Sequence, residues 1–325
     1  MFHYENGLML TRPRLAIDIP RRQPRAFVSH AHADHIARHE LALCTPATAA
    51  LYRHRLGASR RVIEMPYGEP LDYQGAKLTA LPAGHCLGSA MLLAVVDGQR
   101  LLYTGDFKLG ESLTAQRAQP PEADLLVMET TFGNPKRRMP PRAEVIGEFI
   151  ALVRRILADG KTPVVHAYQL GKSQEVTAML TSHGLPVLQH PSIYEVSRVY
   201  ERCGVALGRE GAEVGAYHGS ALAGHVVVTL PRTMPAFRLA GMGDVETITL
   251  TGWAIDPGAR FRLKVDHALP LSDHADFDEL VELVRLVRPR RVATTHGPPG
   301  FDEQLRALGY DAQPLAPDAQ RRLFE

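Results

Sequence analysis

Three histidines and one aspartate fall within six residues of the stretch Ser29-His30-Ala31-His32-Ala33-Asp34-His35. Neutral imidazole nitrogens and carboxylate oxygens are the common ligands of zinc and similar divalent ions. The stretch follows apolar Ala26-Phe27-Val28, which places it at the end of a short strand. Residues two apart on an extended chain project to the same side, so His30 and His32 can grip one ion together. Asp34 and His35 are adjacent and diverge, so they serve a second ion. A single loop that starts two neighbouring metal sites is the arrangement of two-metal hydrolysis. The competing reading is a polar loop whose histidines cap a helix. Four candidate ligands interleaved with small residues favour the metal.

Three further segments can complete a binuclear site. Ala83-Gly84-His85 places a histidine after an apolar strand, between glycines that allow close backbone approach. His85 is the expected third ligand of the His30/His32 ion. Tyr103-Thr104-Gly105-Asp106 puts Asp106 at a strand end, and a carboxylate, unlike a neutral imidazole, can bridge two cations. Thr294-Thr295-His296-Gly297 repeats the strand-end pattern, and His296 can join Asp34 and His35. Each segment alone has an ordinary explanation as a turn or cap; their joint position at strand ends is what points to a site. Two more groups carry catalytic character. His274, in Ser272-Asp273-His274-Ala275-Asp276, can face the metals and protonate a leaving alkoxide, while Asp276 has the simpler reading of a helix N-cap. Glu129, at the end of another apolar strand, can orient an imidazole and raise its basicity. Asp34 is counted both as a ligand and as a catalytic carboxylate. In Gly171-Lys172-Ser173-Gln174, Lys172 and Ser173 open a helix whose amides could cradle a phosphate; a capped helix start with a solvated lysine is the alternative.

These residues need strands to position them. Met91–Val96 and Arg100–Thr104 are apolar runs across a turn at Asp97-Gly98-Gln99, a hairpin signal. Asp124–Met128 reads as a strand, and Pro135, Pro140 and Pro141 mark a linker. From Ala143 to Asp159 the apolar spacing is helical, stopped by Gly160. Strand Thr162–Ala167, helix Ser173–His183, strand Pro186–Gln189 and helix Ile193–Cys203 then alternate, with Val226–Leu230 as the last strand of a small parallel α/β unit. Glu246–Thr251 begins a new strand, followed by helix Phe277–Val287, strand Arg291–Thr295 and helix Asp302–Leu308. The expected division is therefore 1–140, an insert over 141–245, and 246–325.

Composition fits this scheme. A chain of 325 residues suggests about two domains. Hydrophobic residues make up 45%, enough for an ordinary core, and no apolar run approaches a membrane span. The start lacks the basic-then-apolar pattern of a signal peptide. Three dispersed cysteines, Cys44, Cys86 and Cys203, argue against a disulfide framework and for a reducing, cytoplasmic setting. Net charge is only +2, with local basic runs such as Lys136-Arg137-Arg138. Nucleic-acid binding is permitted by this balance without being required by it.

Taken together, the motifs resemble those of the metallo-β-lactamase superfamily, and within it the β-CASP nucleases. Ser29 to His35 looks like the superfamily's metal loop, and Gly84-His85 and Gly105-Asp106 like its third and fourth motifs. Asp18, in Ala16-Ile17-Asp18-Ile19-Pro20, stands where the first motif's aspartate is expected, with a supporting role. Glu129-Thr130-Thr131-Phe132-Gly133, His274 and His296 resemble the three β-CASP motifs. The resemblance implies an αββα sandwich with an inserted α/β cap domain, two Zn²⁺ ions with Mn²⁺ as the alternative, and phosphodiester hydrolysis of nucleic acid. The bacterial ligase-associated DNA-repair exonucleases are the most similar subgroup, and Thr251-Gly252-Trp253-Ala254 is similar to a segment of theirs. A 5′ end-directed DNA exonuclease, with a ligase among its partners, is the favoured implication. The histidine at position 296 is typical of RNA-cleaving members, which keeps an RNA-processing role open. A small-molecule metallo-hydrolase would need neither the insert nor Glu129 and His274.

Overall fold

The computed structural model describes residues 2–4, 7–220, 222–231 and 243–315. The chain forms two compact units, one of residues 1–138 with 274–325 and one of residues 139–273.

The first unit is built on two sheets. One has six strands in chain order: Phe2–Tyr4, Leu8–Leu10, Leu15–Ile17, Arg25–Phe27, Leu41–Cys44 and Val62–Glu64. The other has seven, in the order Ala312–Pro314, Arg291–Thr295, Leu125–Glu129, Gln99–Tyr103, Ala90–Val96, Ala76–Pro82 and Leu71–Tyr73. The inner faces of the two sheets meet in one core, with Leu10, Leu15, Phe27 and Leu43 from the first against Leu78, Leu92, Leu101 and Val127 from the second. Each such side chain contributes about 1.5–3 kcal/mol by leaving water. On the outer face of the first sheet, helix Pro46–Leu56 packs Ala49 and Tyr52 against Val28 and Ala42. On the outer face of the second, helices Phe277–Val287 and Phe301–Ala307 cover Leu102, Leu126 and Val292. The layers run helix, sheet, sheet, helix, as the sequence motifs imply.

Register in the second sheet places the site. Asp97 (φ 49°) and Gly98 (φ 80°) form a two-residue turn with both residues left-handed, so Val96 pairs with Gln99 and Tyr103 with Leu92. Strand Gln99–Tyr103 then runs parallel to Leu125–Glu129, which runs parallel to Arg291–Thr295 with Glu129 opposite Thr295. The carboxyl ends of these three neighbouring strands deliver Asp106, Glu129 and His296.

The second unit carries a six-stranded, all-parallel sheet in the order Val214–Ala216, Val187–Gln189, Val226–Thr229, Thr162–His166, Val245–Leu250 and His267–Leu269. Its central strands are apolar on both faces, with Val164, Val165 and Val226 to Val228 buried, because helices cover such a sheet on both sides. Helix Arg142–Ala158 buries Val145, Phe149, Val153 and Ile156 against it. The division expected at 245/246 is corrected here. Strand Val245–Leu250 does not return to the first unit; it pairs with Thr162–His166, with Val165 opposite Ile248. Val226–Thr229 is accordingly not the last strand of the insert, and the chain re-enters the first unit at His274. An isolated apolar strand carries no mark of which sheet will accept it. Apart from the apolar segment Ala26-Phe27-Val28, the short strands before residue 65 and the helix Pro46–Leu56, with almost no apolar stripe, are likewise unmarked in the sequence.

Among the described residues, no helix is long and apolar enough to cross a membrane. Cys44, Cys86 and Cys203 are free thiols, the first two buried.

Two local features generate tests. Helix Phe277–Val287 opens with a capping box: Asp276 accepts from Glu279 N at 3.0 Å, and Glu279 accepts from Asp276 N at 3.1 Å. Glu279 also accepts from Gly110 N at 2.8 Å. Asp276→Ala should therefore cost about 1 kcal/mol in chemical denaturation while leaving metal content unchanged; a loss of metal would contradict a purely capping role. Buried His39 accepts from Gln23 N through Nδ1 at 3.2 Å, and burial pushes its pKa down to about 4 despite the nearby Asp18. Because the folded-state pKa is depressed, His39's contribution is present above pH ~6.5 and lost as pH falls from there toward 4. His39→Gln, which keeps an acceptor, should flatten the stability profile in that window by up to roughly 3 kcal/mol relative to the wild type. Parallel profiles for the two proteins would contradict this account.

Candidate metal centre

Strand Arg25–Phe27 ends where the chain must turn under the second sheet, and the turn is fixed by one carboxylate. Asp18, buried and in the left-handed region (φ 48°), accepts from Ser29 N at 2.7 Å, from Ser29 Oγ, from Tyr103 OH at 2.9 Å and from His35 Nδ1 at 3.0 Å. Burial, together with Asp18 and Asp106, pushes the Tyr103 hydroxyl well above its ordinary pKa and keeps it a donor. With Nδ1 of His35 spent on Asp18, its Nε2 faces inward, 3.3 Å from Asp106 Oδ2 and 3.8 Å from Asp34 Oδ2.

His30 is fully buried, and its Nε2 stands 2.9 Å from His32 Nδ1 and 3.6 Å from Asp106 Oδ2. His85 Nε2 stands 3.2 Å from the same His32 nitrogen and 3.9 Å from Asp106 Oδ2. The backbone at Gly84 takes φ 80°, and a Cβ there would stand 2.1 Å from Lys108 O, so the loop presenting His85 admits glycine alone. Ser89 Oγ accepts from His85 N at 3.1 Å and holds the loop from below. One ligand atom each from His30, His32, His85 and Asp106 lies within 4.8 Å of the other three. Ligands about 2.1 Å from a common ion stand about 3.4 Å apart in a tetrahedron, so the donor set fits one divalent metal.

The second group is looser. Asp106, His35 and Asp34 converge as just described, but Asp34 is largely exposed and its side chain can swing. His296 stands beside His35 with ring centroids 5.8 Å apart. Its own backbone is left-handed (φ 48°), and its carbonyl oxygen stands 3.2 Å from Thr131 Oγ1. A Cβ on the following Gly297 would stand 2.1 Å from Thr130 O, so this turn too needs glycine. Asp106 Oδ2 is common to both groups.

His274 sits at the rim of the cluster, Nε2 4.0 Å from Asp106 Oδ2 and ring centroid 4.6 Å from that of His85. Its Nδ1 lies 3.0 Å and 3.2 Å from the two oxygens of Glu129. Glu129 is buried and itself held, accepting from Phe107 N at 2.9 Å and from Thr131 Oγ1. Asp106, Glu129 and His274 also fall within 4.8 Å of one another.

Charge follows geometry. Burial, reinforced by His35 and His32, holds the His30 pKa well below the ordinary histidine range, so the ring is neutral and offers its lone pair. Burial alone would raise Asp106, but His274, His35 and His30 outweigh it and hold the carboxyl well below its usual range. Burial alone would depress His35, yet Asp18 and Asp106 raise it well above the usual range. A neutral His30 and an ionised Asp106 both offer lone pairs to a cation.

Elsewhere, Lys172 and Ser173 lie in the second unit, both buried. Lys172 Nζ donates to Leu271 O at 3.1 Å and lies 3.4 Å from Asp273 Oδ1; Ser173 Oγ donates to Tyr168 O at 2.5 Å. Their polar atoms are turned into the protein, and the solvated-lysine alternative also gives way to burial. Supporting residues that sequence reasoning passed over are Ser29, Tyr103, Ser89 and Thr131. Ser29, Tyr103 and Thr131 lie within the motifs and Ser89 just beyond one, yet a hydroxyl's partner is set by the fold.

Asp18→Asn removes the charge that orients His35 and the loop. Metal affinity, measured by competition with a chromogenic chelator, should fall about 10- to 100-fold, as for other groups that orient metal ligands; an unchanged affinity would show that Asp18 does not set the loop.

A family profile described as "Beta-lactamase superfamily domain" matches residues 10–183, and one described as "Zn-dependent metallo-hydrolase RNA specificity domain" matches residues 258–313. The chain is 40% identical to a "Probable DNA ligase" of Opitutus terrae, the match covering 98% of this chain and 31% of that protein. It is 28% identical to "5' exonuclease Apollo" of Gallus gallus, covering 87% of this chain and 62% of that protein. The chain thus spans less than two thirds of either relative. A solved structure of a protein of unknown function from Enterococcus faecalis V583 matches with a TM-score of 0.58 at 15% identity, over 84% of this chain and 75% of that one, a likeness of fold.

Proposed function

The chain belongs to the metallo-β-lactamase superfamily and to its β-CASP group, and from that membership we propose that it is a metal-dependent nuclease that hydrolyses phosphodiester bonds, DNA before RNA. One observation carries the proposal: Asp106 joins two ligand groups while the Glu129–His274 pair stands at their rim. A small-molecule hydrolase of the same fold would have no use for that pair. His30, His32, His85 and Asp106 would hold one ion, and Asp34, His35, His296 and Asp106 a second. Zinc suits these nitrogen and oxygen ligands, with manganese as the alternative. Ions bound there supply a hydroxide nucleophile near neutral pH and positive charge against the phosphoryl oxygens.

The protein's own groups do the rest. Asp18 and Ser29 hold the ligand loop still, which would fix the place of any ions bound by it relative to the substrate. His274 Nε2 gives its proton to the leaving oxygen as the phosphorus–oxygen bond breaks, and the Glu129 carboxylate steadies the ring's charge from the other side. Phe107 N and Thr131 Oγ1, donating to Glu129, keep that carboxylate aimed.

DNA is supported by the names of the relatives, a DNA ligase and a 5′ exonuclease. A role in DNA repair with 5′ end-directed degradation, beside a ligase, is read from the same names, and a reducing, cytoplasmic setting from the three dispersed cysteines. The RNA alternative is supported by the description of the profile over residues 258–313. Single-stranded DNA and RNA, each with a 5′-phosphate or a 5′-hydroxyl, separate these readings: the proposal expects fastest loss of the 5′-phosphorylated DNA, and exclusive RNA cleavage would overturn the DNA assignment. His274→Ala should keep its metal and lose about 10²–10⁴-fold in turnover. Unchanged turnover would remove the acid role, and a loss of metal would make His274 a ligand instead.

A further inference from the structure

In the sheet of the second unit, strands Thr162–His166 and Val245–Leu250 lie side by side and parallel, with His166 opposite Thr249. After His166 the chain passes through helix Lys172–Ser182 to strand Val187–Gln189 on one side of the pair; after Leu250 it passes through helix Ala259–Leu263 to strand His267–Leu269 on the other. Adjacent parallel strands whose connections part in opposite directions leave a crevice at their carboxyl ends, and open α/β sheets bind ligands in that crevice.

A cavity of about 120 Å³ occupies this place. His166 and Tyr168 line it from the end of the first strand, Thr249 and Thr251 from the end of the second, and Trp253 and Leu263 from the segment that follows. At about 30 Å³ per water molecule, it has room for about four waters, the bulk of one planar heterocycle and far less than a nucleotide. Its mouth is aromatic and open: Tyr168 is 65% and Trp253 45% exposed. Hydrogen bonds join several of the polar residues that line it. His166 Nδ1 donates to Leu230 O at 2.9 Å, Thr249 Oγ1 donates to His166 O at 3.2 Å, and buried Lys172 also lines it. Among the described residues the lining includes that one cation and no carboxylate. Lys172 Nζ is held by Leu271 O and Asp273 Oδ1, so the exposed rings over a small, largely apolar cavity suit a flat aromatic group.

We propose that this switch-point cavity takes one unpaired nucleobase of a single strand, stacked against Tyr168 and Trp253. The nature of the occupant rests on the nuclease reading; the existence of a site rests on topology and cavity. Every base has a π-face, so such a subsite grips a strand with little regard to sequence. It would hold the strand while the metal centre acts, with the phosphates left to other groups.

Trp253 is the single tryptophan of the chain and therefore a built-in reporter. The full chain, stripped of metal with EDTA so that nothing is cleaved, is titrated with oligothymidylate and with an abasic strand of equal length. Oligothymidylate should quench Trp253 fluorescence and the abasic strand should not. Tyr168→Ala should weaken oligothymidylate binding by roughly 5- to 150-fold, leave abasic binding unchanged, and be rescued by Tyr168→Phe. Equal quenching by both strands, or wild-type affinity in Tyr168→Ala, would overturn the subsite. A metal-loaded protein that cleaves strands yet fails these tests would keep the nuclease reading and lose only the subsite; one that neither binds nor cleaves nucleic acid would lose both.

Discussion

The Asp18 carboxylate is the group on which the metal centre depends. It is buried, held in a left-handed backbone, and satisfied by four donors from three residues of the first unit. A buried carboxylate without partners would cost several kcal/mol, so its partners are fixed once the fold closes around it. Two of the donors belong to Ser29, at the start of the ligand loop, and one to His35, near its end. The same oxygen that satisfies Tyr103 therefore pins both ends of the loop, and His30 and His32 between them have little freedom left.

A second constraint follows from placing so many imidazoles in one buried space. The Asp106 carboxylate is the common neighbour of His30, His35, His85 and His274. It stays ionised because those rings surround it, and His30 stays neutral because burial and the neighbouring rings oppose its protonation. Around it the hydrogen-bonded shell is complete: Ser89 under His85, Thr131 and Phe107 N under Glu129, Asp18 under His35. The candidate ligands are thus presented by strand ends and held by hydrogen bonds from neighbouring groups.

The second unit shows how the same strand-end logic works without metal. Its parallel sheet is apolar through both faces, so its polar groups collect at the carboxyl edge, where connections depart. Lys172 and Ser173, expected at a phosphate, turn inward there to satisfy Leu271 O and Tyr168 O. Tyr168 and Trp253 stay exposed beside them.

Much of the site was legible in the sequence because ligand chemistry is local. His30, His32, Asp34 and His35 announce themselves by type and spacing, and His85, Asp106, Glu129 and His296 by following apolar strands. The long amphipathic helices and the hairpin at Asp97-Gly98 were legible for the same reason: period and turn residues act over a few positions. What only the tertiary structure decided were the long-range pairings. Strand Val245–Leu250 joined the second unit's sheet rather than the first because backbone pairing is set by which edge is available, and side chains alone do not name that edge. Asp18, known at first by resemblance alone, acquired its role only when Ser29, Tyr103 and His35 arrived from elsewhere in the chain. The sequence determined which atoms could bind a metal; the fold decided which of them meet, since a shared oxygen such as that of Asp106 exists only where separate strand ends are brought to one point.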